Sequence, residues 1–125
     1  MARQAKKHDQ VLKVLKQASG PMSANEVWEQ LRAESSGIGL ATVYRALGRG
    51  VEDGRLVAIE LESGSVRYEP SDLEHHHHFL CSMCRRAFDL KGCVRNLERL
   101  VPRGFRMANH EILLFGTCAE CRRAG

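Results

Sequence analysis

The stretch His75-His76-His77-His78-Phe79-Leu80-Cys81-Ser82-Met83-Cys84 decides how the rest of the chain is interpreted. It joins four consecutive histidines to a Cys-x-x-Cys pair, and a second such pair, Cys118 and Cys121, follows further along the chain. Five of the six histidines and all five cysteines lie after residue 74. The sequence therefore predicts metal binding in the second half and a different task for the first half.

The two Cys-x-x-Cys pairs supply four thiol groups. Two such pairs facing each other are the usual construction of a tetrahedral structural zinc site. The alternatives are a redox-active pair or four buried thiols, but a redox pair normally opens a helix in a thioredoxin-like unit, and neither pair is placed that way. We therefore predict one structural Zn(II) per chain, held by Cys81, Cys84, Cys118 and Cys121.

The four histidines can contribute to two different sites. If they lie in a strand, successive side chains point to opposite faces, so that His75 and His77 share one face and His76 and His78 share the other. Each pair needs at least one further ligand, and the alternative is a solvated polar loop. The candidates for the further ligands are Glu69, Asp89, Cys93 and His110.

Cys93 is left over from the two pairs. A lone cysteine is most often a small buried hydrophobic side chain. As a soft ligand among histidines it would instead favour zinc over iron or manganese.

The first half predicts three short helices followed by a hairpin. Helical periodicity covers residues 8–19, then residues 24–34 behind the capping box that begins at Ser23, and then a segment from Leu40 to just before Gly54. Two runs of period two, 56–61 and 66–69, flank a glycine-containing turn. This is the order of elements in a winged helix, whose third helix enters the major groove of DNA.

The face of the third helix that is not apolar carries four candidate DNA contacts. Tyr44 and Arg45 are assigned to base or phosphate contact, and Thr42 and Arg49 to phosphate contact. The alternative is that Tyr44 is a half-buried core residue and the arginines form a solvated face. The net charge of +4 by itself supports nucleic-acid binding only weakly.

No apolar run approaches the roughly 18 residues that span a bilayer, and the first residues lack the apolar core of a signal peptide. We therefore expect a cytoplasmic protein with no membrane partner. In that compartment thiols stay reduced, which favours metal binding over disulfides.

Three segments resemble the ferric uptake regulator (Fur) superfamily of metal-dependent, dimeric transcription factors, and together the resemblance covers essentially the whole chain. Residues 39–47, Gly-Leu-Ala-Thr-Val-Tyr-Arg-Ala-Leu, are nearly the recognition-helix signature of that family. Residues 75–84 are similar to its histidine-rich stretch and first zinc pair, and residues 109–121 to its C-terminal segment.

The resemblance implies structural zinc at the four paired cysteines and two regulatory sites. The hinge-side site would use Glu69, His76, His78 and Asp89, and the other would use His75, His77 and His110. The last ligand of the other site is usually a glutamate. Counting back from Gly104 puts Cys93 at that position, whereas counting forward from Cys84 puts Asn96 there, and we assign Cys93 because asparagine is a poor ligand.

The fold implied is α+β. It has a winged-helix DNA-binding domain at 1–69, a hinge linker at 70–74 and a small α/β dimerisation domain at 75–125. The last would contain a three-stranded antiparallel sheet and a short amphipathic helix at 94–101.

Two departures from the family pattern favour its zinc uptake regulator (Zur) branch. The family often supplies a histidine from the segment before the second helix, and Pro21 stands near that place. Cys93 adds a thiolate, and its neighbourhood, Gly92-Cys93-x3-Leu97-Glu98, is most similar to the cyanobacterial members of that branch.

The sequence thus predicts a homodimeric regulator that binds a palindromic double-stranded DNA operator when its sensory sites hold Zn(II), and that controls zinc-homeostasis genes. It would bind one structural and at least one sensory zinc per chain. The alternative within the family is a regulator responsive to Fe(II), Mn(II) or peroxide. A hydrolytic zinc enzyme is disfavoured because no carboxylate is paired with a histidine in a recognisable catalytic spacing, and a thiol oxidoreductase is the remaining rival. We expect no enzyme activity and no small-molecule substrate.

Overall fold

The computed structural model describes residues 2–124. The first half contains α1 (Ala2–Gln17), α2 (Ala24–Ala33), α3 (Leu40–Glu52), β1 (Leu56–Glu62) and β2 (Ser65–Pro70). The second half contains β3 (His76–Cys81), β4 (Ala87–Lys91), a 3-10 helix (Leu97–Leu100), β5 (Leu113–Gly116) and α4 (Ala119–Ala124). The predicted α+β class is confirmed. Across residues 2–124, no helix is long and apolar enough to cross a membrane.

The helices α1, α2 and α3 enclose the main hydrophobic core of the described chain. The predicted capping box starts α2, because the Glu26 N–H donates to Ser23 Oγ at 3.2 Å and the Ser23 N–H donates to Glu26 Oε1 at 2.9 Å. Buried apolar residues recur at helical spacing and face one another. The core consists of Val11, Leu12, Val14, Leu15, Ala24, Val27, Leu31, Ile38, Val43, Ala46, Leu47 and Leu56.

The predicted hairpin is formed by β1 and β2, which pair antiparallel with Leu56 opposite Pro70. It is attached to the helices by Met22 and Tyr68, which exchange backbone hydrogen bonds of 3.1 and 2.8 Å. Pro70 is buried at the end of β2, so this strand extends by one residue into the predicted linker at 70–74. Proline is tolerated at the end of a strand because no further ladder bond needs its missing N–H.

The second sheet has the strand order β4-β3-β5. Strands β3 and β4 are antiparallel as expected, but β5 runs parallel to β3, with His78 opposite Leu113 and Cys81 opposite Gly116. The prediction of a wholly antiparallel sheet was therefore wrong. Parallel pairing needs a crossover of about a dozen residues or more, and the segment between β4 and β5 is long enough to provide it. This direction brings the end of β5, and the cysteine pair after it, beside Cys81.

The amphipathic helix expected at 94–101 is reduced to the 3-10 helix Leu97–Leu100. Asn96, directly before it, has a left-handed backbone with φ of 66°. Val94 is 60% exposed and Leu100 is 80% exposed. Because short helices depend on burial of an apolar face, the chain by itself does not stabilise a full α-helix here.

Candidate metal centres

Three groups of potential metal ligands assemble in the fold, and within each group the ligand atoms all lie within 4.8 Å of one another. The three sets coincide with the combinations that the family resemblance implied. We call them the four-cysteine group (Cys81, Cys84, Cys118, Cys121), the hinge group (Glu69, His76, His78, Asp89) and the His/Cys group (His75, His77, Cys93, His110).

The four-cysteine group lies where β3 and β5 end. Cys81 closes β3, and Cys118 follows β5 at the start of the turn into α4. The Sγ atoms of Cys84 and Cys118 are 3.9 Å apart, and all five cysteines of the chain are free thiols. A tetrahedral zinc with Zn–S bonds of ~2.3 Å places its sulfur atoms ~3.8 Å apart, so the spacing fits that ion.

Backbone hydrogen bonds prepare two of these cysteines as thiolates. Donation from the N–H groups of Cys118 and Cys84 lowers the pKa of the Cys81 thiol to about 6. Donation from the N–H of Cys121 likewise lowers the pKa of Cys118. The hydrogen bond with Cys118, followed by burial, raises the pKa of Cys121 to about 12. Two thiols that ionise readily, beside two further sulfur donors, are suited to binding a cation.

The hinge group joins the two halves of the chain. Glu69 comes from β2 in the first half, whereas His76 and His78 project from one face of β3 and Asp89 lies opposite His78 on β4. The Nε2 atoms of His76 and His78 lie 3.1 and 3.4 Å from Glu69 Oε2. The same nitrogens lie 3.5 and 3.6 Å from Asp89 Oδ1. Four ligand atoms thus converge on one point between the halves.

Two observations show that the hinge group fits a divalent cation. Asp89 Oδ1 is buried and has no hydrogen-bond partner among the described residues. Burial, and then the negative charge of Glu69, raise the pKa of Asp89. The Nδ1–H of His76 donates to the Glu74 carbonyl at 2.7 Å, so Nε2 directs a lone pair at the two carboxylates once it loses its proton. A cation bound here would coordinate both Asp89 Oδ1 and His76 Nε2.

Hydrogen bonding controls protonation of the other ligands in this group. Burial opposes ionisation of Glu69, but hydrogen bonds from His78 and His76 outweigh it and lower the pKa of the carboxyl. Burial likewise disfavours the charged form of His76, but the Glu74 carbonyl and the Glu69 carboxylate outweigh it and raise the pKa of the imidazole. In the metal-free protein, the imidazole protons that are hydrogen-bonded to Glu69 therefore offset its negative charge, as a bound cation would.

The His/Cys group lies on the opposite face of β3, as alternation predicts. His75 Nε2 is 3.2 Å from His110 Nε2, and Cys93 Sγ is 3.2 Å from His77 Nε2 and 2.9 Å from His110 Nε2. Nitrogen ligands of a tetrahedral zinc are separated by ~3.3 Å, so the distance between His75 and His110 fits that ion. Burial, then the neighbouring His75 and His110, lower the pKa of His77 and keep that imidazole neutral.

His77 is held by a backbone contact that affects how it can bind a metal. The Ile112 N–H donates to His77 Nδ1 at 3.1 Å. A neutral imidazole that accepts at Nδ1 carries its proton on Nε2, facing Cys93. Coordination of a metal ion through Nε2 therefore requires the loss of that proton.

Cys93, and not Asn96, is brought into the His/Cys group. Cys93 follows the positive-φ residue Gly92 just after β4, which turns the thiol towards His77 and His110. Asn96 begins the 3-10 helix instead.

The four residues predicted to contact DNA lie on or near the solvent side of α3. Tyr44 is 52% exposed, Arg45 is exposed, and the Arg49 side chain is 65% exposed, although its Nε lies 3.8 Å from Asp53 Oδ2. Thr42 is half-buried and accepts a hydrogen bond of 3.0 Å from Arg45 Nη2. Tyr44 is not part of the buried core cluster, and DNA contact by these four residues stays a prediction.

Arg67 is a buried charge that the sequence analysis did not single out. It is 5% exposed, its Nη1 lies 2.6 Å from Glu26 Oε1, and its Nη2 donates to the Arg85 carbonyl. The signal in the sequence was the alternation of β2, which places Arg67 on the same side as Glu69. Both side chains point inward, towards the second half.

The chain is similar along most of its length to known metal-dependent regulators. The profile of the Ferric uptake regulator family matches residues 2–115. The ferric uptake regulation protein of Bordetella parapertussis is 32% identical over 105 residues, which are 82% of this chain and 76% of that protein. The structure of the Vibrio cholerae ferric uptake regulator has a TM-score of 0.69 at 30% identity, covering 90% of this chain and 88% of that one. FurB from M. tuberculosis, described as a zinc uptake regulator, has a TM-score of 0.56 at 28% identity, covering 97% and 96%.

Proposed function

Because this chain belongs to the ferric uptake regulator family of DNA-binding, metal-responsive transcriptional regulators, which are not enzymes, we propose that it responds to zinc. In this proposal a homodimer binds a palindromic operator when its regulatory groups hold Zn(II), and it thereby controls zinc-homeostasis genes. The observation that carries the choice of metal is the thiol of Cys93 within the His/Cys group. Sulfur and imidazole together favour zinc over iron and manganese. The likeness to FurB, a zinc uptake regulator, supports this choice.

We assign the DNA-binding domain to residues 1–69, the hinge to 70–74 and the metal-binding dimerisation domain to 75–125. The four-cysteine group would hold structural zinc, since its ligands close the end of the second sheet and leave no carboxylate or solvent ligand to exchange. The hinge and His/Cys groups would be the sensory sites.

The outward side of α3 would enter the major groove. Arg45 is held by the Thr42 hydroxyl, which reduces the side-chain entropy lost when the guanidinium reaches a base or a phosphate. Tyr44 would contact a base or the sugar-phosphate backbone beside it, and Thr42 and Arg49 would contact phosphates.

The hinge group is suited to link metal occupancy to DNA binding because Glu69 belongs to the first half and its other ligands to the second. Zinc bound there would supply the positive charge that holds ligands of both halves at one point. The two recognition helices of a dimer would then keep the spacing that successive major grooves require. The metal favours this arrangement only through its higher affinity for it.

An exposed apolar set in the second half supports the homodimer. Phe115 is 61% exposed, Leu114 is 49% exposed and Phe105 is 71% exposed, and the first two lie on β5, the outer strand of its sheet. Large exposed apolar side chains beside the unpaired edge of a sheet favour association with another chain. Family regulators are dimeric, and a second copy would cover these side chains.

The test of the proposed function is fluorescence anisotropy of the full chain on DNA from its own promoter region. Free Zn(II) is buffered across a range, with Fe(II) and Mn(II) in parallel at fixed salt, because phosphate contacts make the affinity depend on ionic strength. We expect tight binding only as zinc rises. Binding driven by Fe(II) or Mn(II) but not by zinc would contradict the choice of metal, and no response to any metal would contradict the regulatory role.

One observation favours a second candidate, a regulator responsive to Fe(II), Mn(II) or peroxide. The hinge group offers two carboxylates and two imidazoles, a harder donor set than the His/Cys group. In this case, peroxide treatment of the iron-loaded protein would oxidise a hinge-group histidine. A mass increase of about 16 located by fragmentation on His76 or His78 would identify it, since one oxygen atom is added and Met83 in the same tryptic peptide can gain the same mass.

A further inference from the structure

The outer edge of β4 is covered by the connection between α1 and α2. In the order β4-β3-β5, strand β4 has one edge without a partner strand. The Asp89 N–H on that edge donates to the Ser19 carbonyl at 2.7 Å, and the Ala87 carbonyl faces Gly20. Exposed strand edges are normally blunted or covered. Here the cover comes from the first half, so the two halves meet through their backbones.

Gly20 allows this contact because it has no side chain. A Cβ atom at this position would lie 2.1 Å from the Ala87 carbonyl oxygen and 2.7 Å from Phe88 Cα. Both are backbone atoms, so a change of rotamer cannot relieve the overlap. Pro21, which follows, is fully buried and restricts the direction of the chain. Any larger residue at position 20 must separate the connection from β4.

The same region contains a second link between the halves, through Arg67. Its guanidinium joins Glu26, at the start of α2, to the Arg85 carbonyl, directly after Cys84. The Arg85 side chain in turn pairs with Glu62 of β1. The hairpin of the first half is therefore tied to the turn of the four-cysteine group, independently of the hinge group.

We propose that the seam formed by Ser19–Gly20 and β4 couples the hinge group to the winged helix, with Gly20 as its positioning residue. This inference rests on the proposed function. Asp89 contributes its carboxylate to the hinge group and its amide to the Ser19 carbonyl, so one residue fixes both the ligand and the connection between α1 and α2. A metal ion bound by Asp89 would therefore hold β4 against the connection between α1 and α2, and this connection positions the helices that pack on α3.

Gly20→Ala is the direct perturbation. The added methyl group separates the α1–α2 connection from β4 and breaks the hydrogen bond from the Asp89 N–H to the Ser19 carbonyl. The helical core is left intact, because Gly20 contributes no side chain to it. The quantity to measure is the ratio of operator affinity with the regulatory sites zinc-loaded to that with them empty. Allosteric ratios are typically ~5- to 150-fold. We expect the Gly20→Ala ratio to fall at least ~5-fold below that of the wild type.

The experiment uses the full chain, Zn(II) as the probe, promoter DNA and fixed salt. Gly37→Ala is the matched control, because a Cβ there meets nothing within 4 Å. Circular dichroism and the zinc content of the four-cysteine group show whether each variant is folded. An unchanged affinity ratio in folded Gly20→Ala would refute coupling through the seam and would leave the proposed function intact. A wild type that does not respond to zinc would instead overturn the proposed function.

Hydrogen exchange of the wild type tests the same inference without a variant. The Asp89 amide should exchange more slowly once zinc is added, because a filled hinge group holds β4 against Ser19. Unchanged Asp89 exchange, in a protein whose DNA binding does respond to zinc, would overturn the coupling role. Hydrogen exchange of the wild type therefore tests the coupling even if Gly20→Ala does not fold.

Discussion

Asp89→Asn should stabilise the protein when its regulatory sites are empty and weaken its response to metal. The Oδ1 atom of Asp89 is buried without a hydrogen-bond partner among the described residues and faces the same two imidazoles as Glu69. An asparagine of the same shape removes the charge. Its neutral amide costs less to bury than the carboxylate does.

The expected gain in unfolding free energy comes from removing the one buried oxygen, Asp89 Oδ1, that has no hydrogen-bond partner within residues 2–124. A buried acceptor without a partner costs about 1–3 kcal/mol. Because the Asp89 side chain as a whole is 24% exposed, we take the lower part of that range, about 1–1.5 kcal/mol. For a chain of this length, 1 kcal/mol corresponds to a change in Tm of roughly 3–6 °C. Asp89→Asn should therefore melt about 5 °C above the wild type.

The assay is thermal unfolding at fixed protein concentration, with the four-cysteine group loaded and the other metal removed. Asp72→Asn is the control, since Asp72 is exposed and its substitution should leave Tm unchanged. Added metal should raise the Tm of the wild type by more than that of Asp89→Asn, because only the wild type retains all four ligands. A lower Tm for metal-free Asp89→Asn would refute the assignment of this carboxylate to a cation site.

The advantage of Asp89→Asn should also depend on pH. The raised pKa of Asp89 means that the folded, metal-free chain binds this proton more tightly than the unfolded chain does. The wild type therefore loses stability as the pH rises through the raised pKa, and the asparagine does not. The difference in unfolding free energy should be largest above that pKa and should vanish below the ordinary value of 3.8.

Three further substitutions test the other assignments. Cys93→Ser should move the zinc midpoint of DNA binding upward by at least ~10-fold while the zinc content of the four-cysteine group stays unchanged, as measured by anisotropy and metal analysis. Cys118→Ser should remove one zinc per chain and unfold the second half by circular dichroism, because structural zinc sites contribute on the order of 10 kcal/mol to folding. Tyr44→Ala should weaken operator binding by about 1–3 kcal/mol and change the unfolding free energy by less than ~0.5 kcal/mol, since its side chain is 52% exposed.

Local chemistry made much of the fold predictable. The capping box at Ser23 and Glu26 fixed the start of α2, and the change from helical to alternating periodicity located the hairpin after α3. The alternation of the four histidines correctly separated His76 and His78 from His75 and His77. These features depend on neighbouring residues only, which is why the sequence reveals them.

Features that depend on distant partners were not predictable in the same way. Alternation determines which face a side chain occupies but not the direction of the neighbouring strand, so the parallel pairing of β5 with β3 was missed. The apolar spacing at 94–101 is helical, yet Val94 and Leu100 find no cover within the described chain. Arg67 and Gly20 matter through contacts with Arg85 and Ala87 on the other half, and such contacts leave no local pattern.

The placement of two metal groups on opposite faces of one strand also limits how this sequence can change in length. One residue inserted between His78 and Phe79 would move all four histidines to the other face of the sheet, because the side-chain period of a strand is two. Every histidine would then point towards ligands of the wrong group. Two inserted residues would restore the faces and shift the histidines only along the strand. Descendants of this chain can therefore gain or lose residues at this point only in pairs if the hinge group and the His/Cys group are each to keep their own ligands.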